Sequence, residues 1–108
     1  MPKKATRLAG PAQVSNAAAT KYTVPTATLT ILRHIHVSNT TSAAVAFTMS
    51  IGADAAGTRI FDAYSIAAGA VLDLWCYFVL SAAEIIQAFA GTNNILTLTL
   101  DGDEITLG

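Results

Sequence analysis

His34-Ile35-His36 is the one group of residues in this sequence with metal-ligand character. Two histidines two positions apart on a strand project from the same face, about 7 Å apart. Two ligands do not make a site. The chain has no other histidine, and its single cysteine excludes a cysteine-based zinc centre, so a third ligand from the same chain has to be a carboxylate. Asp54, Asp62, Asp73 and Glu84 qualify only if the fold brings one of them near. His34 and His36 are therefore weak metal candidates, expected on the polar face of a strand, and neither a metal nor another cofactor is assigned. A trimer that set one histidine pair from each chain around an axis is the other route to a complete site.

Other chemistries fare worse. Jelly-roll enzymes of the cupin type use a His-x-His preceded by glycine and followed by glutamate. Here Thr28 stands where the glycine would be, Thr40 and Thr41 stand where the glutamate would be, and the later histidine is missing. No G-x-S-x-G places a nucleophile. The glycines of GADAAG and AFAGTNN lack the lysine-bearing helix entry of a phosphate-binding loop, so they read as loop residues. No catalytic residue is assigned, and the chain reads as a non-enzyme. Trp75 and Tyr77 share a face with Val71 and Val79. Such aromatics can stack on sugars or anchor an interface, and the apolar company of the valines favours core or subunit interface.

Composition limits the partners. A formal net charge of −1 creates no field that would attract nucleic acid or an anionic membrane, and neither is expected as a partner. Basic charge concentrates only at Lys3, Lys4 and Arg7, where a short arm can contact acidic protein surface. Hydrophobic residues make up 53% of the chain and charged ones 12%, which supplies a core and leaves apolar surface for contacts. The start, MPKKATRLAG, lacks the apolar stretch of a secretory signal. The run from Ala67 to Ala83 is interrupted by Asp73 and is too short for a spanning helix, so a soluble protein is expected. Cys76 lies in the apolar run Leu74 to Phe78 and is expected to be a buried thiol.

The elements that would position these residues are strands. Residues 1–16 mix charge, alanine, Gly10 and Pro11 without a sustained period. They suggest an extended arm with one or two strand-like pieces, lying across a neighbouring subunit. Residues 17–108 form one domain of short β-rich runs separated by turn residues. Ala19 to Val24 is stopped by Pro25. From Thr28 to Ser38, Leu29, Ile31, Ile35 and Val37 share one face, and Thr28, Thr30, His34 and His36 share the other. Arg33 then falls on the apolar side, which requires a bulge or a paired guanidinium. Asn39 to Ser42 supplies a turn, and Val45, Phe47, Met49 and Ile51 alternate along the next strand. Further runs cover Thr58 to Ser65 and Ala70 to Leu80. The latter is apolar on both faces and is expected to be covered on both, the outer one by the arm or a neighbouring subunit. Glu84 to Phe89 favours a strand over a short helix. Asn94 to Leu100 and Asp103 to Leu107 flank Asp101-Gly102, predicting a type I′ hairpin with Leu96, Leu98, Ile105 and Leu107 on one face. The sum is an all-β, antiparallel two-sheet β-sandwich of about eight strands, jelly-roll-like, with an immunoglobulin-like topology left open.

Several of these stretches resemble small tail-region proteins of tailed bacteriophages. They are Lys21-Tyr22-Thr23-Val24-Pro25, Ile31 to Asn39 around Arg33-His34-Ile35-His36-Val37, Ser50-Ile51-Gly52, and Ser65-Ile66-Ala67-Ala68-Gly69. In that family a Y-T-V-P strand leads to R-H-I-H-V-x-N, and a Pro- or Ala-Ala-Gly loop precedes an apolar strand. Ile66-Ala67-Ala68 here replaces the commoner proline-containing loop. The resemblance implies a structural virion β-sandwich among the minor tail proteins, or a decoration (cement) protein on the capsid. It also implies a homo-oligomer, a trimer or higher symmetric assembly, in contact with other phage structural proteins. Lys3, Lys4, Arg7, Val71, Trp75, Tyr77 and Val79 are the expected assembly interface. A host-surface or carbohydrate-binding module is the alternative.

Overall fold

The computed structural model describes residues 3–107. They form eight strands and no helix: β1 (Lys3–Gln13), β2 (Ala19–Thr23), β3 (Thr28–Asn39), β4 (Val45–Ile51), β5 (Arg59–Ile66), β6 (Val71–Leu80), β7 (Ile85–Ala90) and β8 (Leu96–Thr106). Two antiparallel sheets of four result, ordered β1-β8-β3-β6 and β2-β7-β4-β5. Apart from the β4–β5 connection, each link carries the chain from one sheet to the other. Residues from both sheets contribute to a single core, with Leu32, Ile35 and Val37 of β3 and Leu96, Leu98 and Leu100 of β8 meeting Phe47 and Met49 of β4 and Ile86 of β7.

Local chemistry sets the turns. Asn39 ends β3: its amide donates to the carbonyls of Ala43 and Ile66 at 2.8 and 3.0 Å, while its side-chain oxygen accepts from the Thr41 N–H at 3.0 Å. This is the asparagine turn that the Asn39 to Ser42 stretch predicts, and it also ties the turn to the end of β5. Ala67-Ala68-Gly69-Ala70 closes on an Ala70 N–H to Ala67 carbonyl bond of 3.0 Å. The segment that could have been helical is β7, in which Ile86, Ala88 and Ala90 alternate into the core.

The predicted Asp101-Gly102 hairpin does not form. Leu96–Thr106 is one continuous strand, paired on one side with β1 and on the other with β3. Gly102 sits in the middle of this central strand, where a Cβ would stand 2.1 Å from the Ile31 carbonyl oxygen and 3.1 Å from Leu8 Cδ1. The glycine therefore serves close backbone approach, the other meaning of glycine within a strand. Ile105 and Leu107 consequently do not share a face with Leu96 and Leu98. Leu96, Leu98 and Leu100 are in the core, whereas Leu107 is exposed.

Opposite Gly102, β3 carries a bulge. Leu32 pairs with Gly102 and His34 with Asp101, so Arg33 is the extra residue. The register against β6 also shifts here but in the opposite sense: Leu32 pairs with Phe78 and His34 with Trp75, so Cys76 and Tyr77 stand opposite Arg33 alone. A bulge reverses the alternation beyond it. Thr28, Thr30 and Leu32 thus share the inner side with Ile35 and Val37, and the expected grouping of Leu29 and Ile31 with Ile35 and Val37 is corrected. Both devices weighed for Arg33 are present, because its Nε also donates to Asp103 Oδ2 at 2.5 Å.

Residues 3–13, expected in an arm, form β1, which pairs with β8 from Lys3 opposite Ile105 to Gln13 opposite Thr97. Leu8 of this strand belongs to the core. At the opposite edge of the same sheet, β6 sends Leu72, Leu74, Cys76 and Phe78 toward the core. Its other row, expected to be covered, is open among the described residues: Val71 is 51% exposed, Trp75 73%, Tyr77 62% and Val79 53%. The arm does not reach this row, since β8 and β3 lie between β1 and β6. Cys76 is half-buried, and its thiol donates to the Leu32 carbonyl at 3.5 Å, beside the bulge. Burial pushes that thiol's pKa up.

Candidate functional site

The outer face of the β1-β8-β3-β6 sheet gathers most of the residues that the sequence singles out. Past the bulge, His34 and His36 point outward from β3 as a pair, with ring centroids 6.0 Å apart. The antiparallel register sets Asp73 of β6 directly opposite His36 and Trp75 opposite His34. Of the four carboxylates considered as a third ligand, only Asp73 arrives. Its Oδ1 touches His34 Nε2 and lies 3.1 Å from His36 Nδ1. Asp54 and Asp62 are engaged by Arg59, each at 2.9 Å, and Glu84 accepts from the Ser81 N–H at 2.6 Å.

Two further groups hold His34. The Trp75 ring stacks on it with centroids 4.0 Å apart and planes 9° from parallel. Asp101 of β8 brings Oδ2 within 3.5 Å of His34 Nδ1, at the nitrogen remote from Asp73. The imidazole is thereby flanked by a carboxylate on each side and an indole on its face. Hydrogen bonds from His34 and then His36 hold the Asp73 carboxyl below the usual carboxylate range. The side chains of Asp73 and His36 remain substantially open to solvent.

An ionic group continues the face toward β1. Asp103, nearly buried, takes Arg33 at 2.5 Å and Lys3 at 3.9 Å. The Arg33 guanidinium also lies over the Tyr77 ring, 5.3 Å from its centroid. The bulge residue thus couples the aromatic row of β6 to the basic end of β1. Lys4 and Arg7 are exposed on β1, opposite Glu104 and Asp101. With Ala5, Thr6, Asp101 and Gly102, Arg7 lines an open hollow of about 310 Å³. The expected interface residues therefore form two groups at opposite edges of one sheet, Lys3, Lys4 and Arg7 at β1 and Val71, Trp75, Tyr77 and Val79 at β6.

Asp101 falls in the predicted turn and is not singled out by the sequence, and Asp73 is one carboxylate among four. An aspartate interrupting an otherwise apolar strand was the available signal for Asp73; its partner depended on a register that the sequence pattern does not determine. The chain matches no protein-family model, no curated protein and no solved structure.

Proposed function

We propose that this chain is a structural virion protein of a tailed bacteriophage, tail-associated, and that it assembles with copies of itself through the outer face and free edge of β6. The observation that carries the assembly reading is the row Val71, Trp75, Tyr77 and Val79, each more than half exposed on a strand with a partner on one side only. An unpaired edge offers backbone donors and acceptors to another chain, and large apolar side chains gain about 1.5–3 kcal/mol each on full burial. Their alignment on an edge strand supplies both terms together.

The strand orders β1-β8-β3-β6 and β2-β7-β4-β5 support a jelly-roll sandwich, in which all successive strands but the middle pair alternate between sheets. The phage setting rests on the motif resemblance, carried here by β2, β3 and the Ala67-Ala68-Gly69 turn. A trimer or higher symmetric assembly, in contact with other virion proteins, is the corresponding quaternary state. Capsid decoration uses the same surface in a different place.

Light scattering on the full chain tests the assembly reading. The expected mass is a multiple of the chain's, falling to that of one chain when Val71→Asp and Val79→Asp are combined, with the circular dichroism unchanged. A single-chain mass for the unaltered protein at every concentration contradicts it. One observation favours a second reading: Trp75 remains 73% exposed although one ring face rests on His34, so its other face is free to stack on a sugar. Glycan-array binding that disappears in a folded Trp75→Ala variant would establish that reading.

A further inference from the structure

We propose that His34, His36 and Asp73 form a mononuclear site for a divalent transition metal of the zinc class, with Asp101 as the positioning group for His34. One donor atom from each of the three residues can be chosen so that all lie within 4.8 Å of one another. Ligands bound at about 2.0–2.1 Å stand roughly 3.0–3.5 Å apart around a tetrahedral or octahedral ion. The 3.1 Å between His36 Nδ1 and Asp73 Oδ1 already has that spacing. His34 Nε2 contacts the same Asp73 oxygen, so the three donors converge on one point of the surface.

The surroundings match what a ligating imidazole needs. A metal-bound histidine gives its other ring N–H to a carboxylate, which fixes the tautomer and makes the ligating nitrogen more basic. Asp101 Oδ2 stands on that side of the ring, 3.5 Å from His34 Nδ1, while Nε2 faces Asp73. The Trp75 indole, nearly parallel to the ring, restricts its rotation. The ligands come from two adjacent strands in fixed register, so the site is built on paired backbone rather than on a loop. Two imidazoles and one carboxylate suit zinc, iron, nickel or copper better than calcium or magnesium, which prefer oxygen donors. Three ligands from one side leave the solvent side of the ion open to water or an outside group.

The site is independent of the assembly reading. A single chain can bind the ion, and a metal-free chain can assemble. The test is calorimetric titration of the chelator-treated full chain with Zn²⁺ alone, followed in parallel by emission of Trp75, the only tryptophan in the sequence. One-to-one saturable binding is expected, with a matching change in emission and a metal-dependent rise in melting temperature. His36→Ala and Asp73→Asn, both at solvent-facing positions, should remain folded by circular dichroism and lose the saturable phase. Asp101→Asn should bind about 10–100-fold more weakly while retaining the stoichiometry. Absence of one-to-one binding, or equal affinity in the His36→Ala and Asp73→Asn variants, would overturn the site. Unchanged affinity in Asp101→Asn would overturn the positioning role.

Discussion

Tyr22 of β2 links the two sheets through its hydroxyl. It donates to Glu104 Oε2 of β8 at 2.5 Å and accepts from the Thr30 hydroxyl of β3 at 2.8 Å. Burial, reinforced by the Glu104 carboxylate, pushes its pKa from 10.0 up to about 12. The folded state therefore favours the protonated phenol. That contribution is fully present below pH 10 and is lost as the pH rises through about 12. Melting temperatures of the unaltered protein should fall more steeply across this window than those of Tyr22→Phe, which keeps the ring but has no proton to lose. Parallel pH profiles for the two proteins would show that the hydroxyl contributes nothing to alkaline stability.

At the scale of elements, the β3 bulge and Gly102 form one device. Arg33 is the extra residue, and the Ile31 carbonyl approaches the place where a Gly102 side chain would be. Gly102→Ala should lower the unfolding free energy by about 3 kcal/mol, because the intruding methyl meets backbone that cannot move without disturbing the sheet. Urea denaturation would measure it as a lower midpoint at unchanged slope, and an unaltered midpoint would refute the close approach. This device also explains what the sequence could and could not tell. Alternation picks out β4 and the inward row of β6 because Val45, Phe47 and Met49, and Leu72, Leu74, Cys76 and Phe78, keep a period of two along their own strands. Asp-Gly has two meanings, a tight turn or a close approach, and only the strand pairing chooses between them. Read as a turn, Asp101-Gly102 divides β8 in two, and the strand-like pieces expected within residues 1–16 correspond to β1, so the total of eight strands is unchanged. At the candidate site, His34 and His36 were visible as a pair, but Asp73 and Asp101 join them through cross-strand register, which local sequence does not encode.

Across the whole molecule, one sheet has two different edges. The β1 edge carries Lys3, Lys4 and Arg7, and the β6 edge carries the apolar row and its unpaired backbone. The histidine, aspartate and tryptophan cluster lies between β3 and β6, beside that row. If β6 is the assembly surface, its outward-facing amides change from solvent to protein partners on association. Hydrogen exchange resolved along residues 71–80, compared between dilute and concentrated protein, distinguishes the two states. Exchange within Val71–Leu80 is expected to slow with concentration while the paired amides of β4 and β7 keep their rates. Concentration-independent exchange along β6 in a preparation that demonstrably associates would contradict it and place the interface elsewhere.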